Sequence, residues 1–376
     1  MNDVSNFLFD QRRVVVCLGP GGVGKTSVVA ALALRAARAG KRVLAITVDP
    51  ARRLAQALEL AEIQSKPTRV DPSAFGGEAF RGELEVRMLD AGKTLEELVI
   101  RYAETPAARD ALLNNRAFGF LARNMAGVQP YMAMEVVLSL ERDAAYDVIF
   151  VDTPPSERAL EFLDAPARMQ DLLASPITRG LANMGKATHD SRGVLGRGAR
   201  LFLKGVSQVT GSGLLDELSL LLGALSGLLD GFFERAALAE ERFRSDAFGV
   251  LLITAAGAFE ALEAERMLGL LEARQLNLDG VVLNRLFHVP EDVKSGEVLL
   301  DAVEPSLWEE GAANRVQSLL EESRAEAVVH ERARALLEAK LPPKAAVYVL
   351  PRIAGEVKNA ADLLRLERAF GLPKAR

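Results

Sequence analysis

Short apolar runs alternate with longer helix-forming stretches along most of the chain. Val14–Leu18, Val43–Val48, Val148–Val151, Val250–Thr254, Val281–Leu283 and Ala345–Leu350 are continuously apolar rather than alternating. That is the pattern of strands covered by helices on both faces. Glu83–Leu89 reads as a further strand. The order predicts an α/β fold with a mostly parallel sheet flanked by helices. Two regions interrupt it. From about 93 to 142 the chain is helix-forming, with breaks near Pro106 and Pro130, and from about 166 to 244 it is helix-forming again without a strand. In the second region Leu214, Leu218, Leu221, Leu222, Leu225, Leu229 and Phe232 fall at helical spacing. The expectation is a single α/β domain over residues 1–376, carrying an all-α subdomain built from the two insertions.

A chain of 376 residues would ordinarily make two or three domains, though one large domain with insertions fits equally well. With 49% hydrophobic and 26% charged residues, a mainly disordered chain is excluded. The net charge of −5 weighs against a coat for nucleic acid, so no nucleic-acid partner is expected. Cys17 is the single cysteine, which excludes a disulfide framework, a zinc ribbon within one chain and any cluster needing several thiolates. No apolar stretch approaches the roughly 18–20 residues of a membrane helix, and the first residues lack a basic region before a long apolar run. A soluble cytoplasmic protein, not an integral membrane one, is the expectation.

The chemistry begins directly after the first apolar run. Gly19-Pro20-Gly21-Gly22-Val23-Gly24-Lys25-Thr26-Ser27 fits the phosphate-loop pattern G-x-x-x-x-G-K-[ST], with a strand before it and an Ala/Leu-rich helix after it. Glycines let backbone N–H groups turn inward around a phosphate, and the helix N-terminus adds its positive dipole. In this pattern Lys25 reaches the β- and γ-phosphates and the Thr26 hydroxyl ligates Mg²⁺. Two further strands end in carboxylates, Val48-Asp49-Pro50-Ala51-Arg52-Arg53-Leu54 and Phe150-Val151-Asp152-Thr153-Pro154-Pro155. Ligands of open α/β sheets bind at that edge. One such aspartate is often only a helix cap; two beside a phosphate loop point to a site.

The set G-x-G-G-V-G-K-T-[ST], DPA-x-x-L and DTPP resembles the arsenite-pump ATPase family (ArsA-like). That family includes the targeting factors for tail-anchored membrane proteins and belongs with the MinD/ParA-type deviant Walker ATPases. The resemblance runs nearly end to end. It implies that Asp49 is the switch I carboxylate orienting the attacking water, and that Asp152 is the switch II aspartate near Mg²⁺. It also implies that Asn284 in VVLNRLF contacts adenine, and that Leu350–Val357, with Pro351 and Arg352, is the late loop beside the base. The candidates are then Lys25 and Asp49 for catalysis, and Thr26, Asp49 and Asp152 for Mg²⁺. For ATP they are Gly19, Gly21, Gly22, Val23, Gly24, Lys25, Thr26, Ser27, Asn284, Pro351 and Arg352.

Departures from the family pattern are as informative. Its signature lysine, which reaches the partner's nucleotide across a dimer, has Pro20 in its place. A family glutamate associated with that nucleotide falls near Ala256–Gly257, where no acid stands. The shared-zinc Cys-x-x-Cys and the arsenite site's cysteines are both absent, and soft metalloids need thiolates. A nitrogenase-reductase-like cluster is excluded on the same count. A slow ATPase acting as a switch, Arg52 or Arg53 supplying the charge, or a paralogous subunit donating the lysine are the three readings, and the last is favoured.

The function implied is a Mg²⁺-dependent ATP-hydrolysing switch whose dimer, homomeric or with a paralogous ATPase, opens and closes around a hydrophobic client helix. A nucleotide-binding regulatory subunit and a MinD/ParA-type positioning ATPase are the alternatives. The Leu214–Phe233 stripe has the composition of a client groove, but core packing is the simpler reading, and Arg192, Arg197, Arg200 and Lys204 read as a solvated loop. The tail from Asn359 reads as a sheet-covering helix. His189, His288 and His330 are scattered without metal spacing and receive no role.

Overall fold

The structure is a computed structural model that describes residues 10–48, 53–75, 81–103, 105–115, 118–119, 129–154, 157–174, 231–232, 234–287, 312–353 and 355–370. Its strands are β1 Val14–Leu18, β2 Arg42–Thr47, β3 Thr68–Arg69, β4 Glu83–Met88, β5 Val148–Asp152, β6 Phe248–Ala255, β7 Leu278–Leu286 and β8 Ala346–Pro351. The helices used below are α1 Lys25–Arg38, α2 Arg53–Ala57, α3 Ala91–Tyr102, α4 Pro106–Leu113, α5 Gln129–Asp143, α6 Glu157–Ala174, α7 Ala258–Ala273, α8 Ala312–Lys340 and α9 Ala360–Ala369. All the apolar runs read from the sequence form strands, and β3 is an addition: two residues are too few to leave a periodic signal.

Among the described residues the eight strands make one sheet in the order β3-β4-β2-β5-β1-β6-β7-β8. From β2 through β8 in that order the neighbours are parallel, while β3 lies antiparallel to β4. The chain divides into two compact units, one of Met1–Arg87, Tyr146–Ser156 and Asp246–Arg376, the other of Met88–Ala145 and Glu157–Ser245.

The first unit holds the sheet. β1 is its most enclosed strand, every residue at most 1% exposed, with β5 and β6 paired on either side. α1 is buried nearly all round. Its alanines (Ala30, Ala31, Ala33, Ala36, Ala37) let it lie close to the strands on one side and to α2 and α9 on the other. Arg35 and Arg38 at its last turn reach Glu367 of α9 at 3.6 and 3.0 Å. The tail helix α9 therefore packs chiefly on α1, and also meets the turn at Pro72–Phe75, α2 and the sheet at β8. Its first turn is capped twice: Asn359 Oδ1 accepts from the Asp362 N–H at 3.0 Å, and Glu59 Oε1 accepts from the Ala360 N–H at 3.0 Å. Asn359→Ala is expected to cost about 1 kcal/mol of stability, measured as a lower urea midpoint. An unchanged midpoint would show that Glu59 alone suffices.

The second unit is helical. Thr105 caps α4 ahead of Pro106 in the first turn, where a missing N–H costs nothing. α6 begins at Glu157 and runs through Pro166; burial of Leu160, Phe162, Leu163, Ala165 and Met169 outweighs the roughly 3 kcal/mol of an interior proline. Its core is partly polar. Glu135 on α5, 2% exposed, accepts from Arg235 Nε at 3.0 Å and from the Tyr131 hydroxyl. The Arg235 guanidinium sits 4.0 Å over the Tyr102 ring and 4.9 Å over the Phe232 ring. Burial and the neighbouring Glu135 carboxylate push the Tyr131 hydroxyl far above its ordinary range. Of the leucine stripe, only Phe232 is among the described residues.

Candidate functional site

β1 delivers the chain to Gly19, whose φ is +151° and whose added Cβ would fall 1.8 Å from the Ile253 carbonyl oxygen of β6. Only glycine fits where the loop crosses the neighbouring strand. Pro20 is buried; Gly21 and Gly22 are exposed, and a Cβ on Gly22 would meet nothing within 4 Å. The loop is thus an open cradle at its apex. It closes at Gly24, which precedes α1 with φ +90°, and there a Cβ would come 2.6 Å from Asn284 Nδ2. No side chain caps α1 and no acid stands in its first turn, so its leading N–H groups face an anion site without internal competition.

The side chains meet where the motif requires. Lys25, 7% exposed, turns its ammonium back to the Gly19 and Pro20 carbonyl oxygens at 2.9 and 2.7 Å. The Thr26 hydroxyl donates to Asp152 Oδ2 at 2.8 Å. Asp152 ends β5, is 1% exposed, and is also approached by the Thr47 hydroxyl at 3.4 Å. The Val48 N–H donates to the Asp152 carbonyl at 3.1 Å, which pins the start of the segment carrying Asp49. Asp49, Pro50, Ala51 and Arg52 lie outside the described residues.

Ser27 follows in the first turn of α1, half-buried. Cys17, one residue before the loop's approach, is fully buried. Burial pushes its thiol well up, Asp152 adds to the rise, and Lys25 opposes it. The thiol stays protonated and is a core side chain, as its place inside β1 dictates.

Asn284, near the end of β7, is 5% exposed and donates from Nδ2 to the Val23 carbonyl in the loop at 2.8 Å. Its Oδ1 accepts from the Arg285 N–H at 2.9 Å, and Arg285 takes the left-handed φ of +61°. Here the β7/β8 register shifts between Leu283 and Leu286. Pro351 ends β8, and the Arg352 N–H donates to the Leu286 carbonyl at 2.9 Å. The Arg352 guanidinium is exposed and lies 3.7 Å from Glu326. The parallel sheet thereby brings the ends of β1, β5, β7 and β8 to one edge.

Three contributors escape linear reading. Thr47 comes beside Asp152 through the β2/β5 pairing, and Thr153, next to Asp152 in the chain, donates its hydroxyl across to the Cys17 carbonyl of β1 at 2.7 Å. The segment Ala256–Gly257 has no acid of its own, yet the Glu260 carboxylate folds back over it. A Cβ on Gly257 would fall 2.2 Å from Glu260 Oε2. The three-residue spacing of a helix cap and its returning glutamate was the available signal.

A strand, a glycine loop closing on a helix, and a lysine and threonine–aspartate pair at the loop define the class: this is a P-loop NTPase fold. The family model for anion-transporting ATPases (ArsA) matches residues 12–209, more than half of the chain, and the chain belongs to that family. Over 358 residues it is 24% identical to the ATPase get3 of Pyrenophora tritici-repentis, covering 90% of this chain and 95% of that one. It is 25% identical over 198 residues to the ATPase GET3 of Malassezia globosa, covering 51% of this chain and 54% of that one. A putative arsenical pump-driving ATPase 1 of Aquifex aeolicus is 25% identical over 165 residues, 42% of this chain and 39% of that one. The chain thus matches about half or less of the Malassezia and Aquifex proteins. Among the described residues no helix is long and apolar enough to cross a membrane.

Proposed function

We propose that this chain binds ATP with Mg²⁺ at its phosphate loop and hydrolyses it, with nucleotide state opening and closing a dimer that engages a hydrophobic client or partner protein. The observation that carries the reading is the Thr26–Asp152 pair at 2.8 Å beside the buried Lys25 ammonium. Two hard oxygen donors next to a phosphate cradle suit Mg²⁺, which takes few protein ligands and shares the rest with phosphates and water. In this reading the backbone of Gly19 and Gly21–Ser27 holds the phosphates, and Lys25 exchanges its carbonyl partners for phosphate oxygens. Thr26, Asp152 and Asp49 hold the ion, Asp49 orients the attacking water, and Asn284, Pro351 and Arg352 line the base. Magnesium, when bound, supplies charge neutralisation at the phosphate oxygens.

Pro20 favours a particular form of the proposal. The loop from Gly19 to Ser27 carries one cation, Lys25, so the charge that the family's second loop position supplies has to come from elsewhere. A paralogous subunit is the source proposed, and its contribution is of the kind worth about 10³–10⁵ in rate. The test is phosphate release and mass in solution, for the chain alone and with a paralogue, with Mg²⁺ and with chelator. Slow turnover alone, acceleration in a mixed complex and full dependence on Mg²⁺ are expected. Rapid turnover by a lone monomer would overturn the partner-dependent form; no turnover in any mixture would overturn the ATPase reading.

A further inference from the structure

His330 received no role from its sequence position, yet it is buried to 6% exposure in the middle of α8 and is tied to the strand that carries Asn284. Its Nδ1 accepts from the Phe287 N–H at 2.9 Å, so that nitrogen carries no proton and the ring is the neutral tautomer protonated at Nε2. Nε2 faces Glu326 Oε1 at 3.6 Å. Between Asn284 and Phe287 the backbone is unusual. Arg285 has φ +61°, a conformation that costs a residue with a Cβ about 1 kcal/mol, and the β7/β8 ladder slips a register across it. Strained irregular turns of this kind persist only where the surroundings fix them. Two bonds do so on the downstream side: Arg352 N–H to Leu286 O, and Phe287 N–H to His330 Nδ1. Upstream, Asn284 grips the phosphate loop through Val23 at 2.8 Å.

We infer that His330 is a positioning residue for the nucleotide site: its neutral imidazole holds the Phe287 amide, and through the Arg285 turn keeps the Asn284 amide on the phosphate loop. The inference rests on the nucleotide reading above. Arg352 secures a carbonyl in the same turn, but among the described residues His330 is the acceptor for the Phe287 N–H.

Protonation removes that acceptor and sets two N–H groups against one another in a buried site. Among the described residues, the charged groups facing the ring are Glu326 and Glu331 on its own helix and Arg352 after β8. The two glutamates favour the imidazolium, and Arg352 together with burial disfavours it. Burial is the largest effect and the net direction is downward from the ordinary histidine value. A lowered value means that the bond is intact above the unfolded histidine's value of about 6.5. It is lost as pH falls through the lower, folded value. Nucleotide grip is therefore set to weaken in acid, below the ordinary histidine range.

The experiment is the affinity of the full chain for a fluorescent, non-hydrolysable ATP analogue with Mg²⁺, from about pH 8 down to the lowest pH at which all stay folded, in three proteins. They are the parent, His330→Asn, whose amide oxygen accepts at the place of Nδ1 without titrating, and His330→Ala. Because ATP itself titrates, the readout is each affinity relative to the Asn variant. At pH 8 the parent and Asn variants are expected to agree and the Ala variant to bind about threefold to tenfold more weakly, the span of one lost hydrogen bond. As pH falls through the lowered histidine value the parent should weaken by the same factor relative to Asn, converging on Ala. A parent-to-Asn ratio that stays flat with pH, or an Ala variant as tight as the parent, would overturn the inference while leaving the nucleotide site standing. A parent that binds no analogue at any pH would overturn both.

Discussion

Lys25→Ala is expected to lower ATP turnover by about two to three orders of magnitude, the usual cost of removing one preorganised group from a developing charge. Nothing nearby in the loop can replace it, because position 20 is proline and Lys25 is the one cation between Gly19 and Ser27. In the absence of nucleotide the ammonium is occupied with the Gly19 and Pro20 carbonyl oxygens, so its loss removes two bonds and one buried charge together. These oppose each other, and the unliganded variant should stay within about 1 kcal/mol of the parent in stability. The difference appears on adding ATP and Mg²⁺. A ligand at a hundred times its Kd stabilises the parent by about 2.7 kcal/mol, and the variant should lose most of that shift. Phosphate release and thermal melting with and without ATP measure both quantities. Turnover within threefold of the parent would remove the loop from the mechanism.

The largest effect on stability is expected far from that edge, at Asp279. It is 2% exposed at the start of β7, and Arg12 grips it in a fork, Nη2 to Oδ1 at 2.6 Å and Nε to Oδ1 and Oδ2 at 2.9 and 3.1 Å. Gly249 of β6 makes room for it, since a Cβ there would fall 1.7 Å from Asp279 Oδ2. Burial raises the Asp279 carboxyl above the ordinary carboxylate value although Arg12 pulls it down, so desolvation outweighs the pair's attraction. The ion pair thus contributes little net stability, whereas breaking it is costly. Asp279→Ala leaves the Arg12 guanidinium, 10% exposed at its side chain, with Asp246 (carbonyl at 2.6 Å, carboxylate at 3.7 Å) but without its buried carboxylate, and is expected to cost about 3 kcal/mol. Arg12→Met combined with Asp279→Ala should recover most of that loss. Urea unfolding of the four proteins in a double-mutant cycle gives the answer. Additive losses in the double variant would refute the account in which the cost comes from a buried guanidinium deprived of Asp279.

The parts of the molecule legible from its sequence are those with a local signature. Buried parallel strands leave unbroken apolar runs such as Val14–Leu18, the phosphate loop is nine consecutive residues, and Asp152 is marked by the strand it terminates. Contacts made by folding leave no such trace. Asn284 finds Val23 across 261 positions, and Phe287 finds His330 across 43. In each case neither residue's neighbours announce the partner. β3 has two residues and no period, whereas the return of the Glu260 carboxylate to Gly257 had a local signal in the three-residue spacing from helix cap to glutamate. The helix through Pro166 inverts a local rule, because packing of α6 outweighs propensity there.

The pairing of β1 with β6 has a consequence for how the molecule is made. Val14 pairs with Phe248, and all of the helical unit is encoded between them. At ribosomal speeds of about 5–20 residues per second, the strand that completes the sheet's centre emerges roughly 10–50 s after β1. Throughout that interval one edge of β1, five apolar residues without a charge, has no β6 to meet. The helical unit is complete before the sheet is, and the phosphate loop acquires its wall at Ile253 only near the end of synthesis. For this chain the nascent state, more than the finished fold, is where the core strand is open to a chaperone or to aggregation.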